Sequence, residues 1–229
     1  MTTLIGIKAE KGLEGVILAS DLSRTRETWS AQGDVAYRQQ TKSEGQKIYV
    51  DNNREVALCM SGVYDQLYID FLSRIIEGKI DVKKAVKKGF FPEFKSLNEY
   101  RWGARKPDLQ NINSLLIATR FNKKPALYGV WPLGRVEEKV WTTIGSGSDY
   151  ADSYISKQGK LIPRGLSINE GIDIAVSSLN SASQDIYTGG MDLVIITKDK
   201  IAEYGKDIKN AIDSSKTKVI SKIMHEYKK

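Results

Sequence analysis

The first residues of the chain could supply a nucleophile and a base from one amino acid. The chain opens with Met1-Thr2-Thr3, and methionine is usually removed when the residue after it is small. Thr2 would then carry a hydroxyl and a free α-amine, which titrates at about pH 7.7–8.0 and can accept a proton at neutral pH. Such a pair is an established route to an activated nucleophile. Many proteins begin this way, so the alternative is an ordinary strand start.

Histidine and cysteine are too scarce for several other kinds of site. His225 is the only histidine and lies in a Lys-rich tail, so a Ser-His-Asp or Cys-His enzyme would need that tail to reach its site. Cys59 is the only cysteine, and its apolar neighbours favour a buried, unreactive thiol. Zinc sites rich in His and Cys cannot be assembled. A hydrolytic reaction must therefore find its base elsewhere.

The composition indicates a soluble globular protein. The chain has 229 residues, of which 41% are hydrophobic and 28% charged, which suits one large domain. No apolar run approaches the length of a membrane span, and the N-terminus lacks the features of a secretory signal. We therefore expect a cytoplasmic protein with no membrane partner. The net charge of +7 is dispersed over helix faces, so no nucleic-acid partner is expected.

Hydrophobic patterns predict strands in hairpins, with helices between them. The predicted strands cover residues 3–9, 15–20, 47–50, 55–60, 114–119, 125–131, 136–143, 191–197 and 201–204. Helices are predicted over 62–77, 80–88 and 207–227, and from Ser167, where Ser167-Ile168-Asn169-Glu170 has the form of a capping box. This order favours an α+β fold of antiparallel sheets covered by helices.

Five features follow one another along the chain. They are Thr2-Thr3-Leu4-Ile5-Gly6-Ile7; Gly15-Val16-Ile17-Leu18-Ala19-Ser20-Asp21 with Thr25; Gly45-Gln46-Lys47-Ile48; Met60-Ser61-Gly62; and Ile144-Gly145-Ser146-Gly147-Ser148 with Asp185-Ile186-Tyr187-Thr188-Gly189-Gly190. In this order they resemble the proteasome β-type family of N-terminal-nucleophile (Ntn) threonine hydrolases, from residue 2 to about residue 205. The resemblance weakens over 26–44 and 80–112, and the segment between Asp21 and Lys47 is longer than usual in the family.

The resemblance implies a four-layer α-β-β-α sandwich of two antiparallel sheets flanked by helices, the Ntn-hydrolase fold. It further implies a single Ntn-hydrolase domain over residues 1–229. A helical insertion around 80–112 and a basic C-terminal helix around 207–227 would be additions to that domain.

The same resemblance assigns catalytic roles. Thr2 is the nucleophile, Lys47 supports its alkoxide and Asp21 pairs with that lysine. The N–H of Gly62 binds the oxyanion. Each residue also has a plainer explanation: Asp21 as a turn aspartate, Lys47 as a surface lysine with Lys42 as its competitor for the role, and Gly62 as a steric requirement.

A second group of residues would support the first. By resemblance, Ser146, Asp185 and Thr188 orient the N-terminal amine and a water, with Thr188 standing where the family has serine. The loop around Ser146 could instead be an ordinary turn. The family's specificity pocket corresponds to Arg24, Thr25 and Met60.

The implied reaction is acyl transfer through an ester on Thr2, which water then hydrolyses, with no metal or organic cofactor. The implied substrate is a peptide or unfolded protein, and the implied partners are further copies in a homo-oligomeric ring, α-type ring subunits and an ATPase. One alternative is a catalytically silent ring subunit. Another is a ligase-like relative that passes the ester to an amine. A retained Met1 would leave the chain inactive.

Overall fold

The computed structural model describes residues 3–32, 35–62, 65–102, 112–158, 165–182, 191–210 and 213–228. The strands in these ranges are β1 (Thr3–Ala9), β2 (Gly15–Ser20), β3 (Ser23–Gln32), β4 (Val35–Glu44), β5 (Ile48–Val50), β6 (Val56–Ser61), β7 (Ser114–Thr119), β8 (Ala126–Val130), β9 (Val136–Glu138), β10 (Trp141–Gly145), β11 (Asp192–Thr197) and β12 (Ile201–Glu203). The α-helices are α1 (Gln66–Ile76), α2 (Val82–Lys88), α3 (Pro92–Trp102), α4 (Ser148–Lys157), α5 (Ile168–Ala182), α6 (Gly205–Asn210) and α7 (Asp213–Glu226).

Ten of these strands form two antiparallel sheets. The first sheet has the order β10-β1-β2-β11-β12, and the second has the order β5-β6-β7-β8-β9. The register of the first sheet places Thr3 opposite Gly145 and Leu4 opposite Ser20. These pairs define the end of the first sheet at which β1 begins.

Three apolar clusters divide the molecule into four layers. The first joins the outer face of the first sheet to its helices, through Ile5, Ile17, Ala151, Ile172 and Ile223. The second joins the outer face of the second sheet to α1, α2 and α3, through Leu58, Ile117, Tyr68, Ala85 and Phe94. The third lies between the sheets and includes Leu4, Leu18, Cys59, Leu116 and Leu127. The predicted α-β-β-α arrangement of two flanked antiparallel sheets is confirmed.

Alternation along each strand supplies both faces of a sheet. In β6, Leu58 and Met60 face the helical cluster, whereas Ala57 and Cys59 face the other sheet. Successive side chains of a strand point to opposite faces, so a strand buried on both sides is apolar throughout. This explains why the sequence of β6 is an almost continuous run of apolar residues.

The prediction of a single strand over residues 136–143 is wrong. The structure has two strands here, β9 in the second sheet and β10 in the first. The chain changes sheets between them: the N–H of Lys139 donates to Leu127 O in the second sheet, and Val140 O accepts from the N–H of Lys8 in the first. The C-terminal segment, predicted as one helix over 207–227, contains the two helices α6 and α7.

The long segment between Asp21 and Lys47 is a hairpin. Its strands β3 and β4 pair with each other from Ser23↔Glu44 to Gln32↔Val35 and form a two-stranded sheet of their own. The N–H of Gly45 donates to Leu22 O at 2.9 Å and closes the base of the hairpin. The extra residues therefore leave the main sheets at one point and return to nearly the same point.

Membrane spans were sought among the described helices. None of them combines the length and apolar character that crossing a bilayer requires.

The capping box that opens α5 is present. The Ser167 N–H and hydroxyl both donate to Glu170 Oε2, at 2.8 and 2.7 Å, and the Glu170 N–H donates back to Ser167 Oγ at 3.3 Å. These bonds hold the pKa of the Glu170 carboxyl below its usual range. The box thus fixes the start of the helix that covers β1 and β2.

We expect Ser167→Ala to lower the free energy of unfolding by about 1 kcal/mol, because it removes an N-cap side chain. A lowered Glu170 pKa means that its contribution is complete above its unfolded pKa of about 4.3 and is lost as the pH falls through its folded value. The difference in free energy of unfolding between the wild type and the variant should therefore be smaller in acid. Urea denaturation at pH 7 and pH 3.5 measures both effects. Ser177→Ala, inside the same helix, is the control, and an equal loss there would contradict the assignment to the cap.

Candidate active site

Asp21 lies directly after β2 and is completely buried. The N–H of Thr3 donates to its Oδ1 at 2.6 Å, and the Asp21 N–H donates to Thr3 O at 3.1 Å. These bonds extend the pairing of β1 and β2 by one residue. Asp21 is thereby held beside the residue that follows Thr2 in the chain.

Lys47 is completely buried as well, directly before the short strand β5. Its Nζ donates to Asp21 Oδ2 at 2.8 Å. The surface-lysine explanation is therefore wrong for Lys47, and Asp21, although it follows a strand, is a buried ion-pair partner. One carboxylate oxygen thus accepts a hydrogen bond from the first residue of β1, and the other accepts one from Lys47. The lysine therefore lies at the end of the first sheet at which β1 begins.

Burial affects the ionisation of this pair. Loss of solvent raises the pKa of the Asp21 carboxyl, and the Lys47 ammonium and the Thr3 N–H act in the opposite direction without cancelling it. Protonation of Asp21 therefore begins at a higher pH than for an exposed aspartate. Removing either partner would leave the other as an uncompensated buried group, which is strongly unfavourable.

Gly62 follows β6 and has a φ of +106°. A Cβ at this position would lie 2.7 Å from Asn113 Oδ1, so both the backbone conformation and the available space require glycine. The steric explanation from the sequence is therefore correct. It does not exclude the predicted oxyanion role, because the steric requirement concerns the Cβ position and the oxyanion role concerns the Gly62 N–H.

Ser146 follows β10, one residue beyond the pair Thr3↔Gly145. Gly145 has a φ of +106°, which turns the chain out of the strand before α4 begins. The Ser146 hydroxyl is buried and has no hydrogen-bond partner among the residues that the structure describes. The structure thus places it at the same end of the first sheet as Asp21.

The other predicted site residues are less completely described. Met60 has no exposed surface and packs in the cluster beneath α1, α2 and α3. Arg24 and Thr25 lie in β3, opposite Ser43 and Lys42, and only their main chain is described. Thr2, Asp185 and Thr188 lie outside the described residues.

The structure also adds residues that the sequence analysis missed. Asn113 is buried beside Gly62 and its Nδ2 contacts Met60 Sδ at 3.3 Å. Asn98, on α3, accepts from the Tyr68 hydroxyl at 2.6 Å and donates to Pro132 O at 2.8 Å. Asn98 also donates to Asn113 O at 3.5 Å, so the two residues connect α3 to the segment beside Gly62. Neither residue gave a sequence signal, since most residues of α3 are polar or charged and Asn98 does not stand out among them.

The arrangement offers a buried cation, a carboxylate that holds it and a glycine turn. A cation near a hydroxyl favours the alkoxide and so eases removal of its proton. Cys59 does not compete as a nucleophile, because burial raises the pKa of its thiol and thiolate is the reactive form. Within the described ranges, no group of three or more His, Cys, Asp or Glu could hold a metal ion.

The match to a protein family covers less than half of the chain. Residues 100–196 match the family model described as "Proteasome subunit". This range includes the loop around Ser146 and the segment with Asp185 and Thr188, but not Asp21, Lys47 or Gly62.

Individual proteins are similar to the chain over comparable lengths. The chain is 35% identical to "Proteasome subunit beta 2" of Pyrococcus furiosus over 86 residues, which is 37% of this chain and 40% of the relative. It is 36% identical to "Proteasome subunit beta" of Methanocaldococcus jannaschii over 96 residues, or 40% and 42%. The matched stretches thus span less than half the length of these relatives. Together with the two flanked antiparallel sheets, these matches confirm the predicted resemblance to the proteasome β-type subunits.

Proposed function

We propose that this protein is a threonine peptidase of the proteasome β type, with Thr2 as its N-terminal nucleophile after removal of Met1. The observation that carries the proposal is the buried Asp21–Lys47 pair at the beginning of β1. The peptide bond keeps the Cα of Thr2 about 3.8 Å from that of Thr3, whose N–H is bound to Asp21. Lys47 is therefore bonded to the same carboxylate as Thr3, the residue next to the proposed nucleophile.

Each part of the site has a role in this reaction. The Thr2 hydroxyl attacks a peptide carbonyl while the Thr2 amine accepts its proton, directly or through a water. Lys47 stabilises the alkoxide, and the Gly62 N–H stabilises the oxyanion. The amine product leaves, and water hydrolyses the ester and regenerates Thr2.

The remaining site residues belong to the same proposal. Ser146, Asp185 and Thr188 hold the N-terminal amine and the water. The buried Ser146 hydroxyl supports this role, because it has no hydrogen-bond partner in the described part of the chain and a buried polar group normally has one. Arg24 and Thr25 contribute to substrate selection, whereas Met60, which has no exposed surface, would affect it only through the packing around it. The substrate is a peptide or an unfolded protein, and the active form is a ring of identical subunits that can stack on α-type rings and receive substrate from an ATPase.

Labelling by a peptide epoxyketone tests the nucleophile. This reagent bonds to both the hydroxyl and the amine of one N-terminal threonine. Intact mass should show loss of Met1 and one adduct per chain, with no adduct on Thr2→Ala and a slower reaction with Thr2→Ser. A processed, assembled chain that stays unlabelled would favour a silent ring subunit and contradict the proposal. Retained Met1 would require the labelling to be repeated on a chain that begins at Thr2.

The role of Lys47 is tested by the rate of that labelling. We expect Lys47→Met to slow adduct formation at least about 100-fold, the effect typical of removing one group that stabilises developing charge. Labelling of Lys47→Arg should also be slow, because a planar guanidinium cannot occupy the position of an ammonium. Lys79→Met removes an exposed lysine paired with Glu77 and serves as control. A Lys47→Met variant that folds and labels at the wild-type rate would exclude the assigned role.

A further inference from the structure

A hydrogen bond between two side chains closes the loop that carries Ser146. The Thr143 hydroxyl, in β10, donates to Asp152 Oδ1, in α4. The two partners are nine residues apart in the chain, and Ser146 lies between them. The bond therefore joins the strand before the loop to the helix after it.

The strand end before this loop is fixed by its pairing with β1. Thr143 stands opposite Ile5, and Gly145 stands opposite Thr3. Residues that stand opposite each other in neighbouring strands point to the same face of the sheet, and Ile5 packs in the cluster between the first sheet and its helices. The Thr143 side chain therefore faces the helical layer, to which α4 belongs.

The helix after the loop has few other attachments. Its N-cap is Gly147, so no cap side chain accepts a hydrogen bond from the first turn of α4, although such bonds commonly stabilise a helix start. The buried residues of α4 are Ala151 and Ile155. Asp152 adds a polar contact with β10 directly beside the first of these. The Thr143–Asp152 bond therefore contributes substantially to fixing where α4 begins.

Ser146 depends on the two ends of the loop for its position. It lies between Gly145, whose φ is +106°, and Gly147, and glycine restricts the main chain less than other residues do. The Ser146 hydroxyl is buried and makes no hydrogen bond with any residue that the structure describes. Since no bond to this part of the chain fixes the hydroxyl, its placement follows from the strand and the helix on either side.

The Asp152 carboxyl is half-buried, so it needs a hydrogen-bond donor. Loss of solvent raises its pKa, the Thr143 hydroxyl acts in the opposite direction, and the nearby Asp149 raises the pKa further. Thr143 therefore supplies the interaction that offsets the burial of this acid. Without the Thr143 hydroxyl the carboxylate would turn towards water, and the start of α4 would lose its polar contact with β10.

We propose that Asp152 is a positioning residue, which acts through Ser146 by holding the start of α4 against β10. The inference rests on the proposed threonine peptidase function, in which Ser146 orients the amine of Thr2. Thr3, which follows Thr2, is paired with Gly145, which precedes Ser146, so a shift of the loop changes the surroundings of that amine. Misplacement of a catalytic group by about 1 Å can cost about 100-fold in rate.

Substitutions on both sides of the bond test this role. Asp152→Ala removes the acceptor and Thr143→Val removes the donor. We expect each to lower the maximal rate of epoxyketone labelling at least about 10-fold, with little change in the reagent concentration that gives half that rate. The double variant should be no slower than either single one, because both remove the same bond. Asp152→Asn keeps an oxygen acceptor and should label within about 3-fold of wild type. Ser153→Ala, at an exposed position of α4, is the control.

A chain without the Ser146 hydroxyl tests whether Asp152 acts through this residue. In the Ser146→Ala background, Asp152→Ala should slow labelling by less than about 3-fold, because the group that it positions is already absent. A further slowing as large as in the wild-type background would overturn the proposal. Thermal unfolding identifies any variant that fails to fold, and Thr143→Val then takes the place of Asp152→Ala in the comparison.

Amide hydrogen exchange measures the hold on the loop independently of activity. We expect peptides that cover residues 144–151 to exchange at least about 10-fold faster in Asp152→Ala than in wild type, with no change over 167–172 at the start of α5. Unchanged exchange over 144–151, or a folded Asp152→Ala variant that labels at the wild-type rate, would overturn the positioning role. Equal losses of rate in Asp152→Asn and Asp152→Ala would also overturn it. If wild type fails to label but exchange over 144–151 still responds, only the peptidase proposal falls.

Discussion

A buried ammonium has to be matched by a buried carboxylate, and the rest of the site is arranged around this requirement. Lys47 and Asp21 are both removed from solvent and bonded at 2.8 Å. The desolvation of two charges is costly, and good geometry is needed to offset it. The two sheets supply that geometry: Asp21 is fixed by the pairing of β1 with β2, and Lys47 by the beginning of β5. A charge that is held away from water interacts more strongly with a neighbouring group than an exposed one does.

The layered architecture explains why the site lies at one end of the sandwich. Apolar side chains fill the space between the sheets, and polar residues appear where β1, β2 and β11 begin or end: Thr3, Ser20, Asp21 and Asp192. Each of these residues lies in or beside the first sheet, and Lys47 comes from the second. The site is therefore formed at the seam between the sheets, so its geometry depends on their packing as well as on local loops.

The sequence predicted the strands with strong apolar content, because β1, β2, β6 and β7 are buried on both faces. It failed where the chain changes sheets at Lys139 and Val140, since neither residue interrupts a strand pattern. It also missed α4, in which only Ala151 and Ile155 are buried, and the hairpin of β3 and β4, whose strands pair with neither main sheet.

The meeting of Asp21 and Lys47 was predicted from family resemblance and not from spacing. Asn113 was missed because the residues that it contacts, Met60 and Gly62, lie in a distant segment of the chain, and a sequence pattern does not indicate such contacts.

The hairpin of β3 and β4 also has a consequence for folding. Asp21 and Lys47 are separated by 26 residues, and bringing the ends of a flexible segment of that length together costs entropy. A hairpin forms from contacts that are local in sequence, in about 1–10 μs for isolated examples. Once its strands have paired and Gly45 is bonded to Leu22, most of that entropy has already been lost. Formation of the ion pair then requires the closure of a loop of only a few residues. Residues could therefore be added at the far end of the hairpin without slowing this closure.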